Sequence, residues 1–171
     1  MTFSRVSSTK VFTAAAFLLN TGPALALSNH HDPAQKLAAP ISGACSSGAS
    51  AYSISTDLQT TRSKSYQDVT GTAISFTQGA SGCVELSFSA EATTVPGELL
   101  LTQVLLDGRV CAPSDNIFAS DSPSSDLSAH AMNYICGKVA AGNHTAKVQF
   151  RSRFGSKVAL DYRTTIVRYT P

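Results

Sequence analysis

From Ala49 onward the hydrophobic signal is alternation at every second position within short runs, and not a 3.6-residue period. The segment Cys83 to Ser89 shows it plainly. Val84, Leu86 and Phe88 fall on one face, Glu85 and Ser87 on the other. Ile74 pairs in the same way with Phe76. Between Ala146 and Phe154 the inward set is Val148, Phe150 and Phe154, and the outward set is Lys147, Gln149, Arg151 and Arg153. Val158, Leu160 and Tyr162 share a face in the final run. Leu99 to Leu106 is apolar on both faces, which predicts a central strand covered on each side. Turn-forming clusters separate the runs: residues 78–82, Val95-Pro96-Gly97, Asp107-Gly108, Ala141-Gly142-Asn143 and Gly155-Ser156. Short strands with regular turn signals and no long helix predict an all-β antiparallel sandwich of about eight strands.

The last two runs predict a register as well. If they form a hairpin around Gly155-Ser156-Lys157, Phe154 faces Val158 and Phe150 faces Tyr162, all inward. Arg151 then stands opposite Asp161 on the outer face. A two-residue loop would put Asp161 opposite Phe150 in the core, where an unpaired carboxylate is too costly.

The chain begins differently. A short, mainly polar and basic segment, residues 1–10, precedes the apolar run Val11 to Leu19, which ends at Asn20-Thr21-Gly22-Pro23 and is followed by Ala24-Leu25-Ala26. This order is that of a cleavable export signal over residues 1–26, cut after Ala26. The apolar run is too short for a membrane span, which needs about 20 residues. Lipidation would need a Cys at the cut, and Cys45 lies well beyond it. Residues 27–48 are small and polar, with two Pro, and read as a flexible lead-in. Residues 49–171 are the sandwich domain, and the expected destination is secreted or periplasmic.

Export decides how the cysteines read. Cys45, Cys83, Cys111 and Cys136 all lie after the signal, and an even number in an oxidising compartment forms disulfides. No CxxC or HxxxH pair supports zinc. Four cysteines allow three connectivities and the sequence does not choose among them. Cys111–Cys136 with Cys45–Cys83 is the working expectation, each bond contributing roughly 3 kcal/mol. Export also changes the charge. The chain has 13 Lys+Arg against 11 Asp+Glu, but Arg5 and Lys10 belong to the signal, so the mature part is balanced. A balanced chain of low charge density has no global field for nucleic acid or an acidic membrane surface, and no stable membrane insertion is expected.

Catalytic signals are weak. No GxSxG elbow is present, and His130 and His144 are the only placed bases, His144 at a turn. The carboxylates Glu85, Glu91, Glu98, Asp57, Asp68 and Asp161 show no spacing that selects a glycosidase pair. The loop from Asp115 through Asp121 to Asp126 supplies oxygens but lacks the alternation and Gly of a calcium loop. His30-His31-Asp32 reads as tail, and no metal or cofactor is expected. Lys147, Arg151, Arg153 and Arg163 suggest a basic stripe on an outer face, part-neutralised by Asp161. Trp is absent, so sugar stacking would fall to Tyr52, Tyr66, Tyr134 and Tyr169, with Tyr162 assigned to the core. Asn143-His144-Thr145 fits an N-glycosylation acceptor, relevant only in a eukaryotic secretory pathway.

Val104 to Gly108, Val139 to Thr145, Val148 to Ser152 and Arg163 to Val167 resemble exported bacterial β-sandwich domains of jelly-roll type, with C1q/TNF-like architecture. The resemblance covers less than half of the chain and rests on turn and strand chemistry. It implies a jelly roll that works in adhesion, ligand binding or homo-oligomeric assembly, and it carries no catalytic residue. The expected function is therefore a disulfide-stabilised binding or structural module for an extracellular protein or glycan. The alternatives are a small extracellular hydrolase and a carbohydrate-binding module.

Overall fold

The computed structural model describes residues 45, 47–120 and 126–171. The expected export segment, His30-His31-Asp32, Asp121 and all of the expected lead-in except Cys45 and residues 47–48 lie outside the described residues. The described part is all-β: β1 Ala49–Ser55, β2 Gln59–Thr61, β3 Gln67–Asp68, β4 Ile74–Gln78, β5 Gly82–Thr94, β6 Leu99–Leu106, β7 Arg109–Val110, β8 Asn116–Ser120, β9 Ser128–Val139, β10 Gly142–Ser152 and β11 Val158–Tyr169. Eleven strands replace the expected eight or so, because β2, β3 and β7 are short pieces of two or three residues. The remaining eight are the long ones.

These eight divide evenly between two antiparallel sheets. One runs β1-β11-β5-β9, with β2 extending the β1 edge. The other is built on β10 and β6, with β4 and β3 on β10 and with β8 and β7 on β6. Successive long strands alternate between the sheets except for β6 and β8, which pair with each other in one sheet, and this is a jelly-roll winding. The inner faces close on Leu86 and Phe88 of β5, Leu160 of β11, Leu100 and Val104 of β6, and Phe150 of β10, all at most 1% exposed. Leu99, Leu100 and Leu101 are buried in succession, as the two-sided apolar run predicts. Tyr134 of β9 crosses the core, its hydroxyl 2.6 Å from Thr102 Oγ1 on β6. Burial pushes the Tyr134 phenol pKa up, against the hydrogen bonds to Thr102 and Asn116.

The expected β10–β11 hairpin is wrong. Val148 and Phe150 do point inward, but β10 pairs with β3, β4 and β6, while β11 pairs with β1, β2 and β5. The Gly155 turn therefore carries the chain from one sheet to the other. Arg151 lies opposite Leu101, Asp161 lies opposite Glu91, and Phe154 is exposed. Glu98 holds this crossover. Its side chain is 1% exposed and accepts from the backbone N–H groups of Leu99 (2.9 Å), Phe154 (2.8 Å) and Ser156 (2.6 Å). Ser152 Oγ accepts from Gly155 N–H at 2.7 Å, and Gly155 adopts φ 99°, open to it because it lacks a Cβ. A hairpin and an arch have the same alternation on either side of the turn, so periodicity alone does not separate them.

Tyr162 is the second correction. The pairing of β11 with β5 breaks between Asp161 and Thr164, a bulge at which Tyr162 takes φ 41° and Asp161 Oδ1 accepts its N–H at 2.9 Å. One extra residue reverses every later side chain. Tyr162 turns to solvent and Arg163 turns inward, 1% exposed, with Thr165 and Val167 after it. Arg163 Nη2 donates to Ser55 Oγ (2.8 Å) and Nη1 to Leu160 O (3.3 Å), and its Nε has no partner among the described residues. Burial lowers its pKa from the usual guanidinium value, opposed by the charges of Asp161 and Asp57.

Both disulfides follow the expected pairing, Cys45–Cys83 and Cys111–Cys136. Cys111–Cys136 is buried and joins an edge of each sheet. Beside it Ala112 bridges Ile135, through N–H to O contacts of 2.9 and 2.6 Å. This corner closes one side of the sandwich.

Candidate functional site

Three surface regions carry chemistry. The first joins two turns. Asp107 and Gly108 form the two-residue loop between β6 and β7, both with positive φ (50° and 80°), the backbone that a tight Asp-Gly hairpin needs. Asp107 Oδ1 accepts from Thr145 N–H (2.8 Å), and Oδ2 lies 2.6 Å from His144 Nδ1. His144 Nε2 lies 2.9 Å from Ala140 O. A carbonyl can only accept, so Nε2 carries a proton, and the carboxylate takes the proton on Nδ1. His144 is thus an imidazolium with both nitrogens donating. The Asp107 hydrogen bond raises its pKa, desolvation opposes, and Ala140 O adds to the rise. Asp107 is lowered, first by the His144 hydrogen bond and then by Thr145 N–H. Ser75, Thr77 and Thr145 line the hollow around them, with Phe76 and Asn143. With neither nitrogen free to take a proton, His144 is a brace between turns and no general base.

The brace makes a pH prediction. Stability from His144 is fully present below the unfolded His value of about 6.5 and is lost as pH rises through the raised folded value. Stability from Asp107 is present above the unfolded Asp value of about 3.9 and is lost as pH falls through the lowered folded value. The brace is therefore complete between about pH 4 and 6.5. His144→Gln is expected to cost about 1 kcal/mol there and to flatten the neutral-to-alkaline limb of stability. Urea unfolding of both proteins across pH, with NMR titration of the imidazole, measures this. A neutral single-tautomer ring at pH 6 would reject the doubly donating assignment.

The second region is the outer face of β10, where the basic stripe was expected. Lys147 donates to Asp68 Oδ2 (2.8 Å), and Gln149 Nε2 to Asp68 Oδ1 (2.7 Å). These two contacts lower the Asp68 pKa, Lys147 first. Arg151 Nη2 donates to Asp115 Oδ1 (2.8 Å), which also accepts from the Tyr66 hydroxyl (2.7 Å), and the guanidinium lies 5.2 Å from the Tyr66 ring centre. Burial and the Asp115 hydrogen bond raise the Tyr66 pKa. Lys147 and Arg151 of the expected stripe are thus each paired with a carboxylate, Arg153 lies against the Phe154 ring, and Arg163 is not on this face at all. Asp115, the first oxygen of the candidate calcium loop, is engaged here, and its pKa is lowered. Desolvation raises it, but the Tyr66 and Arg151 hydrogen bonds prevail.

The third region is the outer face of the β1-β11-β5-β9 sheet. Tyr52 and Ile54 of β1 are 72% and 63% exposed, and Tyr162 of β11 is 59% exposed. Cross-strand pairing places Ile166 beside Tyr52, Thr164 between Ile54 and Ser89, and Asp161 beside Glu91. Ser87 Oγ donates to Asn133 Oδ1 (2.8 Å) and accepts from Arg168 Nη1 (3.2 Å). An aromatic and aliphatic strip thus borders a field of hydroxyl and amide groups, with carboxylates at one end. Of the tyrosines expected to be free for stacking, Tyr134 is core and Tyr66 is stacked under Arg151. Tyr162, assigned to the core, is the one released. No local signal marked the bulge, since Asp-Tyr-Arg in an alternating strand reads most simply with Tyr162 inward and both charges outward.

Among the described residues no group of three or more His, Cys, Asp or Glu side chains is placed to hold a metal ion, and no helix is long and apolar enough to cross a membrane. No protein-family model matches the chain, and no curated protein is similar to it.

Proposed function

We propose that the chain is an exported, disulfide-stapled jelly-roll module that acts by binding, and that it recognises a neutral glycan on the outer face of its five-stranded sheet. The observation that carries this reading is the bulge at Tyr162. It delivers a second exposed tyrosine to the face that already presents Tyr52. Aromatic faces stack on the apolar side of a sugar ring, while hydroxyl and carboxylate groups take up its polar edge. Ser89, Thr164, Asp161 and Glu91 supply those polar partners in the same sheet. The order of residues 1–26 and the two disulfides support export. The jelly-roll winding supports the likeness to C1q/TNF-like domains, whose lean is to binding and assembly. His144, one of the two bases open to the hydrolase alternative, has both ring nitrogens engaged.

Affinity electrophoresis through gels containing xylan, mixed-linkage β-glucan or amylose tests the reading. Retardation by at least one polymer is expected, with a loss of at least about tenfold in affinity for Tyr162→Ala and Tyr52→Ala. No retardation in any gel, or retardation unchanged in both variants, would reject it.

A further inference from the structure

The five-stranded sheet ends at β9, and the Ala112 bridge reveals which backbone groups of that edge are open. Ile135 exchanges both its N–H and its C=O with Ala112, so both point away from β5. Pairing of β9 with β5 is unbroken from Val84↔Cys136 to Ala92↔Ser128. In an antiparallel ladder the direction alternates with each residue. Asn133, Ala131 and Ala129 therefore also turn N–H and C=O away from β5. All three are exposed, and among the described residues no strand pairs with them on that side.

Natural edge strands are protected by charge, proline, bulges or shortness. From Ser128 to Gly137 this strand has no Lys, Arg, Asp, Glu or Pro. Its outer-face side chains at the open positions are small: two alanines and an asparagine. The opposite edge of the sheet differs, since the turn after β3 lies against β1 through the Ser53 hydroxyl, which donates to Gly71 O.

We infer that the β9 edge is a self-association surface, and that two copies pair there antiparallel about a two-fold axis at Ala131. In this register Ala131 faces its own copy, and Ala129 faces Asn133 of the partner subunit. Every outward N–H of the three residues then meets a carbonyl. On the core side His130 faces Met132 of the partner subunit. No charge opposes itself across the axis, the condition an isologous contact imposes. The Ala112 bridge stops the pairing at Ile135, so the contact is short. Such an interface falls in the weak, concentration-dependent class. The two outer faces would become one continuous surface, but the inference does not depend on what that surface binds.

Charge placed on the axis tests it. Sedimentation velocity on the oxidised protein is expected to show a monomer–dimer equilibrium. Ala131→Lys and Ala131→Asp should each weaken it at least about tenfold, because each puts like charges face to face. Mixing the two variants in equal amounts should restore a dimer, since Lys then meets Asp. Circular dichroism checks that both variants fold, as expected for an exposed edge position. A wild-type monomer up to about 1 mM, a trimer, association unchanged in Ala131→Lys, or no recovery on mixing would each overturn the inference. Tyr162→Ala should dimerise like the wild type, which separates this result from the glycan test.

Discussion

Replacing Glu98 with Ala is expected to lower the unfolding free energy by about 4 kcal/mol, among the largest losses available from a single side chain outside the hydrophobic core. Three backbone N–H groups converge on this buried carboxylate, and each unsatisfied buried donor costs about 1–3 kcal/mol, moderated where water can enter. Two of the donors, Phe154 and Ser156, lie in the crossover, so the substitution releases the turn that keeps β10 and β11 in separate sheets. Glu98→Gln retains one oxygen but sets an amide NH2 toward one set of donors, and about half of the loss is expected. The acid limb distinguishes the two effects. Burial raises the Glu98 pKa, but the N–H groups of Phe154, Ser156 and Leu99 prevail and lower it. Its contribution is thus present above the unfolded Glu value of about 4.3 and is lost as pH falls through the lowered folded value. Chemical unfolding from pH 3 to 7 should show a shallower acid limb in Glu98→Gln. An unchanged midpoint in Glu98→Ala would mean that the crossover is held by other contacts.

Removing Cys111–Cys136 by double substitution to Ala is expected to cost about 3.5 kcal/mol from loop closure over its sequence separation of 25 residues. Loop length alone ranks Cys45–Cys83 slightly higher, because its separation is 38. Position argues the other way. Cys111 and Cys136 are buried in the core cluster, next to the Ala112–Ile135 bridge, whereas Cys45 and Cys83 are partly exposed. Deleting the buried pair adds lost packing to lost chain constraint. Thermal unfolding of the two double variants should therefore place the Cys111/Cys136 variant lower. The reverse order would show that unfolded-state entropy outweighs packing in this domain.

The alternation that was legible in the sequence is the part of the fold decided within a single strand. Val84, Leu86 and Phe88, or Val148 and Phe150, reveal their burial by spacing because each faces one core. What stayed hidden was decided between strands. The partner of β11 depends on Glu98, a residue that reads locally as one more polar position after Pro96-Gly97. The exposure of Tyr162 depends on one extra residue in the ladder, which leaves no trace in a count of two. The His144 brace joins turns that were each visible as turns, but their meeting requires β10 to lie beside β6. Of the candidate glycan face, Tyr52 was legible as a free aromatic. Tyr162 was hidden because the same bulge that exposes it buries Arg163, against the ordinary preference of both residues.

The Cys45–Cys83 bond also decides how this domain would carry a load. A pull arriving along the chain ahead of Cys45 passes through the sulfurs directly to Cys83 at the start of β5. The intervening residues, with all of β1 to β4, form a covalent bypass that bears no tension. β5 sits inside its sheet, paired with both β11 and β9. Traction is thereby delivered to an interior strand instead of peeling an edge, so a tethered copy would hold β1 in place until the disulfide is reduced.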